Sequence, residues 1–246
     1  VKRILLPTLL VLLLLDGTAR AVNLPTLSLG IKEATGPQEV STALQVLFVL
    51  TILSVAPAIL LMTTAFTRIV IVLGFVRQAM GTQNMPPNQI IIGLALFLTF
   101  FIMSPVIDRI NTTAFQPYMA QQITQQQALD RTVEAMREFM FSQVQEDELQ
   151  LLIEITRQEQ PEDRKDISTM ILIPAFMLSE LKLAFQMGFM IYVPFLVIDM
   201  IVASVLMSMG MMMLPPIIIS LPFKLLLFVL VDGWNLVVGS LMQSFG

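Results

Sequence analysis

Two sets of side chains in the last third of the sequence have the types and spacing to do chemistry. One is a group of ionisable residues, Glu180, Lys182, Asp199 and Lys224, set in an otherwise apolar stretch. The other is the run LMSMGMMMLPP at 206–216. There Met207, Met209, Met211, Met212 and Met213 surround Gly210 and lead into Pro215 and Pro216. Charges placed within membrane helices pair with one another, relay protons or mark an ion path. Glu180 and Asp199 would lie about 28 Å apart along one helix, too far to share a proton as an acid–base couple. Thioethers are soft ligands for Cu(I). They are also adaptable fillers of irregular cores, and around an axis they would form a flexible apolar seal.

The sequence contains neither histidine nor cysteine. The commonest general base and transition-metal ligand is therefore missing, and so are thiolate nucleophiles and disulfides. No glycine-rich nucleotide loop is present, so any ATPase acting with this chain is a different protein. The net charge is −4 and no basic cluster exists, which argues against a nucleic-acid partner. No enzyme activity, cofactor or metal is expected.

The elements that carry these residues must be membrane helices. The chain of 246 residues is 56% hydrophobic and only 13% charged, against about 25% charged in soluble domains, and its mean hydropathy is +0.80. A charge at the centre of a lipid-facing helix costs about 2.5–3.5 kcal/mol, so the four ionisable residues must face protein or water. A helix from about Ile171 runs past Asp199 toward Met209, with Pro174 and Pro194 as kinks. Gly210 suits its C-terminal end, and Pro215–Pro216 cannot lie inside a helix. A second helix runs from near Ile217 past Lys224 to Trp234. The methionine run is then a hairpin tip. Asp199 and Lys224 lie about 18 Å from it on either arm, at a similar height, so they can pair. Glu180 and Lys182 are two residues apart and point to different sides of a helix. At least one of them needs a partner from elsewhere, and Glu180 with Lys224 of a second copy is the leading candidate.

Upstream, VKRILLPTLLVLLLLDGTARA reads as a cleavable signal peptide over 1–21, with Ala19 and Ala21 at the cleavage site. Residues 22–107 hold two uncharged runs, Val40 to Thr67 and Gln78 to Ile107. These read as a hydrophobic helical hairpin of two spans, with Arg68 and Arg77 at its cytoplasmic turn. Residues 108–166 carry twelve acidic and six basic side chains and read as a small helical extracytoplasmic domain. Within it, Thr124 and Gln127 have capping-box form. Leu129, Val133, Met136 and Met140 follow on one helical face. A second helix over Asp147 to Arg157 points Leu149, Leu152 and Ile155 or Ile153 inward, and QEQPEDRKD is a solvated linker. Residues 167–246 form the C-terminal hairpin with its methionine loop. The fold class is an all-α membrane protein.

Three blocks carry a family resemblance: LLMTTAFTRIVIVLGFVRQAMGTQNMPPNQIIIGLALFLTFFIMSP (60–105), IPAFMLSELK (173–182) and DMIVASVLMSMGMMMLPPIIISLPFKLLLFVLVDGW (199–234). They resemble the FliP family, the flagellar branch of the type III secretion export-gate proteins. The resemblance implies a ring of five copies in the bacterial inner membrane, within the flagellar basal body and partly above the lipid plane. It implies assembly with FliQ and FliR, the gate proteins FlhA and FlhB, and a FliO-like assembly factor. Unfolded rod, hook and filament subunits would be the substrates. The family's methionine gasket falls on Met211, Met212 and Met213, and its inter-subunit charges on Glu180 and Lys224, with Asp199 in the same layer. A substrate- or ion-coupled transporter is the alternative reading, and it usually carries an internal repeat, which this sequence lacks.

Overall fold

A computed structural model describes residues 37–82, 85–156, 163–211 and 213–246. The expected signal segment with Ala19 and Ala21, the beginning of the charged linker, and Met212 lie outside the described residues. The chain divides into two compact units, residues 1–49 and 50–246. Of the first, only the start of helix α1 (Pro37–Met62) is described.

The second unit holds the rest of α1 and eight further α-helices among the described residues. They are α2 (Phe66–Ala79), α3 (Asn88–Ile110), α4 (Gln116–Met119), α5 (Gln125–Gln143), α6 (Glu146–Thr156), α7 (Thr169–Ser208), α8 (Pro216–Leu230) and α9 (Gly233–Gln243). No strand occurs among the described residues. Among the described residues three helical stretches are long and apolar enough to cross a membrane: Leu44–Met62, Asn88–Met119 and Thr169–Ser208. At 1.5 Å per residue the 40-residue α7 is about 60 Å long, twice the roughly 30 Å thickness of bilayer hydrocarbon. One end or both must therefore project beyond the lipid.

The core forms where α2 packs on α7. The octet IVIVLGFV between the two arginines belongs to α2, a helix packed into the core that lies between the two apolar spans Leu44–Met62 and Asn88–Met119. Ile69, Val72, Leu73, Val76 and Ala79 make a stripe on α2 with at most 2% exposure, following the helical repeat. The facing stripe on α7 includes Leu172, Ala175, Phe176 and Ala184. Contact is closest at Gly188, where a Cβ would stand 2.4 Å from Cδ2 of Phe75. Phe75 in turn meets Phe185 edge-on, with ring centroids 5.4 Å apart.

The middle segment docks on this pair. Thr124 and Gln127 form the expected capping box, with the Gln127 N–H donating to Thr124 Oγ1 at 3.3 Å and the Thr124 N–H to Gln127 Oε1 at 3.0 Å. Only the C-terminal half of the expected α5 face is covered. Met140 is buried and Met136 partly so, while Leu129 and Val133 are exposed. The reason is where α5 meets α7: Phe139 packs against Phe176 at 6.0 Å, and the first turns of α5 extend past that contact. On α6, Leu149 is buried, Leu152 and Ile153 are partly buried, and Ile155 is exposed.

Two helix irregularities escape the sequence reading. Between α3 and α4, residues Asn111–Phe115 form a π-helical turn. Pro117 has no N–H to offer the carbonyl four residues back, and Arg131 Nη1 donates to that carbonyl, Thr113 O, at 2.8 Å instead. Helix α8 does not continue to Trp234. It stops at Leu230, Asp232 takes a left-handed conformation (φ 51°), and α9 leaves at 63° to α8. The corner is closed by packing: a Cβ on Gly233 would stand 2.3 Å from the Phe228 ring, which meets Trp234 edge-on at 5.3 Å.

Candidate functional site: a latched helical hairpin

Gly210 and the two prolines shape the tip as their chemistry requires. The Met211 N–H donates to Leu206 O and the Gly210 N–H to Met207 O, both at 3.0 Å. Gly210 itself sits at φ +74°. This is a Schellman cap, whose left-handed position favours glycine. Pro215 caps the next helix and Pro216 opens it, where a missing N–H costs nothing. Met207, Met209, Met211 and Met213 around the turn are 59%, 59%, 41% and 98% exposed. Behind them an open apolar groove of about 450 Å³ runs along both arms. It is lined by Ile198, Ile201, Val202, Val205, Leu206, Met209, Ile219 and Phe223.

Further from the tip the two arms are pinned together. Lys224 Nζ donates to Asp199 Oδ2 at 2.5 Å, and Ser220 Oγ donates to Asp199 Oδ1 at 2.5 Å. Ser220 and Lys224 are buried, while the Asp199 side chain keeps 24% of its surface exposed. Sequence counting places Asp199 and Lys224 at one height, and the structure pairs them. Ser220 was missed, although it lies one turn before Lys224 on the same face. Lys224 also approaches the turn after α2, where a Cβ on Gly81 would stand 3.7 Å from Nζ.

Glu180 was expected to seek a cation on another copy, but it has one in its own chain. It is fully buried, and so, to 1% exposure, is its partner Arg68 on α2. Arg68 Nε donates to Glu180 Oε2 at 2.9 Å, and Nη2 donates to Oε1, completing a two-pronged pair. Nη2 also reaches Gln143 Oε1 at 3.1 Å, and Nη1 reaches Ser244 O at 2.7 Å and Ser244 Oγ at 3.0 Å. The Phe245 ring lies 3.7 Å from the guanidinium carbon. Gln143 Nε2 donates to Phe245 O at 3.2 Å. One buried cation thus gathers α2, the end of α5, α7 and the residues after α9. Sequence reading placed Arg68 in a cytoplasmic turn. An arginine beside an apolar run looks the same whether it ends a span or lies in a core, and its partners are 75 to 176 residues away.

Lys182 points away from Glu180, as its spacing requires, and pairs with Glu148 on α6 at 2.7 Å. The other oxygen of that carboxylate, Oε2, is buried without a hydrogen-bond partner among the described residues. Nearby, the Gln145 N–H at the start of α6 donates to Ser179 Oγ at 2.9 Å. The four ionisable residues therefore work as three separate fasteners rather than one cluster: Arg68–Glu180, Glu148–Lys182 and Asp199–Lys224. Each has a partner inside the chain, and none of the three brings two carboxylates together.

The FliP family model matches residues 49–241, which includes all three fasteners and the tip. A flagellar biosynthetic protein FliP of Bacillus subtilis (strain 168) is 55% identical over 217 residues, covering 88% of this chain and 98% of that protein. Its namesake from Pectobacterium carotovorum subsp. carotovorum is 51% identical over 85% of this chain and 81% of its own length. The one from Caulobacter vibrioides (strain ATCC 19089 / CIP 103742 / CB 15) is 47% identical over 94% and 86%. On the length of the family match and on these identities, the chain is a member of the FliP family.

Proposed function

We propose that this chain is a core channel subunit of the flagellar type III protein export gate, passing unfolded rod, hook and filament subunits across the bacterial inner membrane at the flagellar basal body. The observation that carries the reading is the hairpin α7–α8. Its exposed methionine tip stands beyond a buried latch and offers no catalytic group. Several copies with their tips toward one axis would close a pore with thioethers, which repack around many shapes where Leu or Phe rings would conform less. The long apolar faces of α1 and α3 supply the membrane contact, with Phe97, Phe100 and Phe101 each more than 60% exposed.

In this reading five copies form a ring that joins FliQ and FliR, meets FlhA and FlhB, and is assembled with a FliO-like factor. The charges Glu180 and Asp199 hold each subunit in shape within the chain. The test replaces Met211, Met212 and Met213 together by Ala and measures ion conductance and motility in cells. Raised leak with partial hook and filament export supports the seal. A tight, fully motile strain would move the seal elsewhere in the complex.

A further inference from the structure

We infer that the hairpin tip is a methionine-oxidation site, at which a two-electron oxygen donor such as hydrogen peroxide converts thioethers of the seal to sulfoxides and opens it to ions. The inference rests on the channel reading above and adds a means of regulation to the same residues.

Two observations place the chemistry at the tip. The chain has 18 methionines and no cysteine, so no thiol within it competes for the oxidant and its sulfur chemistry is that of thioethers. Exposure then sorts the methionines. Met80, Met103 and Met140 are at most 4% exposed; Met85, Met119 and Met170 are open but isolated, whereas Met207, Met209, Met211 and Met213 are all exposed within seven residues, Met213 to 98%. Met190 and Met200 are also open in the single chain, at 73% and 62%, but they lie within α7, well before its turn. Met211 and Met213 follow the end of that helix, in non-helical backbone.

In the reaction, a sulfur lone pair attacks one peroxide oxygen, the O–O bond breaks, and hydroxide leaves. The hydroxide takes the proton from the oxygen now bound to sulfur, giving sulfoxide and water. Sulfur is oxidised by two electrons and the peroxide is reduced by two. The product is a strong hydrogen-bond acceptor where a soft apolar group had been. A closed ring of such groups has no donors to satisfy them except water, so hydration of the constriction follows.

The experiment treats membranes carrying the assembled gate with hydrogen peroxide, then maps sulfoxides by peptide mass spectrometry and measures ion leak. The expected result is oxidation at Met207, Met209, Met211 and Met213 ahead of Met80, Met103 and Met140. A several-fold rise in leak should accompany it, reversed by a methionine sulfoxide reductase. Replacing all five methionines of the run, 207, 209 and 211–213, by Leu should remove the oxidant-dependent rise, whatever the basal leak. Oxidised tips without added leak, or a rise that persists in the Leu variant, would overturn the inference. A separate M211Q/M213Q variant, which puts polar groups at the tip without oxidant, tests the channel reading itself. If it is as tight as the unaltered chain, the tip is not the seal, and that part of the channel reading fails independently of oxidation.

Discussion

All five N–H groups of the Arg68 guanidinium have acceptors, on Glu180, Gln143 and Ser244. That makes its replacement severe in a specific way. Removing the cation leaves the Glu180 carboxylate buried and uncompensated, a change that costs about 3–5 kcal/mol. Arg68→Ala should therefore lower the amount of chain accumulating in the membrane and its thermal stability in detergent. Arg68→Lys should rescue only in part, because an ammonium cannot present the planar fork. Removing both charges, as Arg68→Leu with Glu180→Leu, should be milder than either single loss. Thermal unfolding of the three purified variants beside the parent decides it: an Arg68→Ala variant as stable as the parent would show that the pair contributes nothing. Asp199 and Lys224 allow a parallel comparison. There Lys224→Ala should be worse than Ser220→Ala, because it leaves the Asp199 carboxylate without its cation, whereas losing Ser220 removes one neutral donor.

At the scale of elements, the contact between α2 and α7 depends on a missing side chain. A methyl group at Gly188 would stand 2.4 Å from the Phe75 ring, so Gly188→Ala should destabilise the chain by about 1–3 kcal/mol through overpacking. Phe75→Leu should recover part of that loss. If Gly188→Ala proves neutral in a detergent melting experiment, the two helices are not in this close register. Glycine at 210 is needed for another reason, its positive φ, and Gly210→Ala should cost about 1–2 kcal/mol at the cap. The hairpin was legible beforehand because its punctuation is local: Gly210 and Pro215–Pro216 mark the turn, and counting residues brings Asp199 level with Lys224. The capping box at Thr124 was legible for the same reason. The corner at Asp232 was not, since a left-handed aspartate looks ordinary in sequence and the aromatic packing that holds it depends on the fold. Nor could periodicity show that only half of the α5 face would be covered, because coverage depends on where α7 passes.

For the molecule as a whole, the exposed apolar surface sets the surroundings it requires. On α1, residues Leu47, Phe48, Leu53 and Leu60 are each more than 60% exposed, within a span long enough to cross a bilayer. Washing membranes with alkaline carbonate should leave the chain in the pellet, and its release into the supernatant would contradict a spanning protein. The latch has a mechanical consequence. Beyond Asp199 and Lys224, about 14 Å of α7 and 12 Å of α8 extend to the turn, with only the apolar side chains named above along the groove they share. Apolar surfaces can slide without breaking a directional bond, while the ion pair resists displacement. The hairpin is built like tweezers riveted part-way along, so a small rotation at the rivet becomes a larger travel at the points.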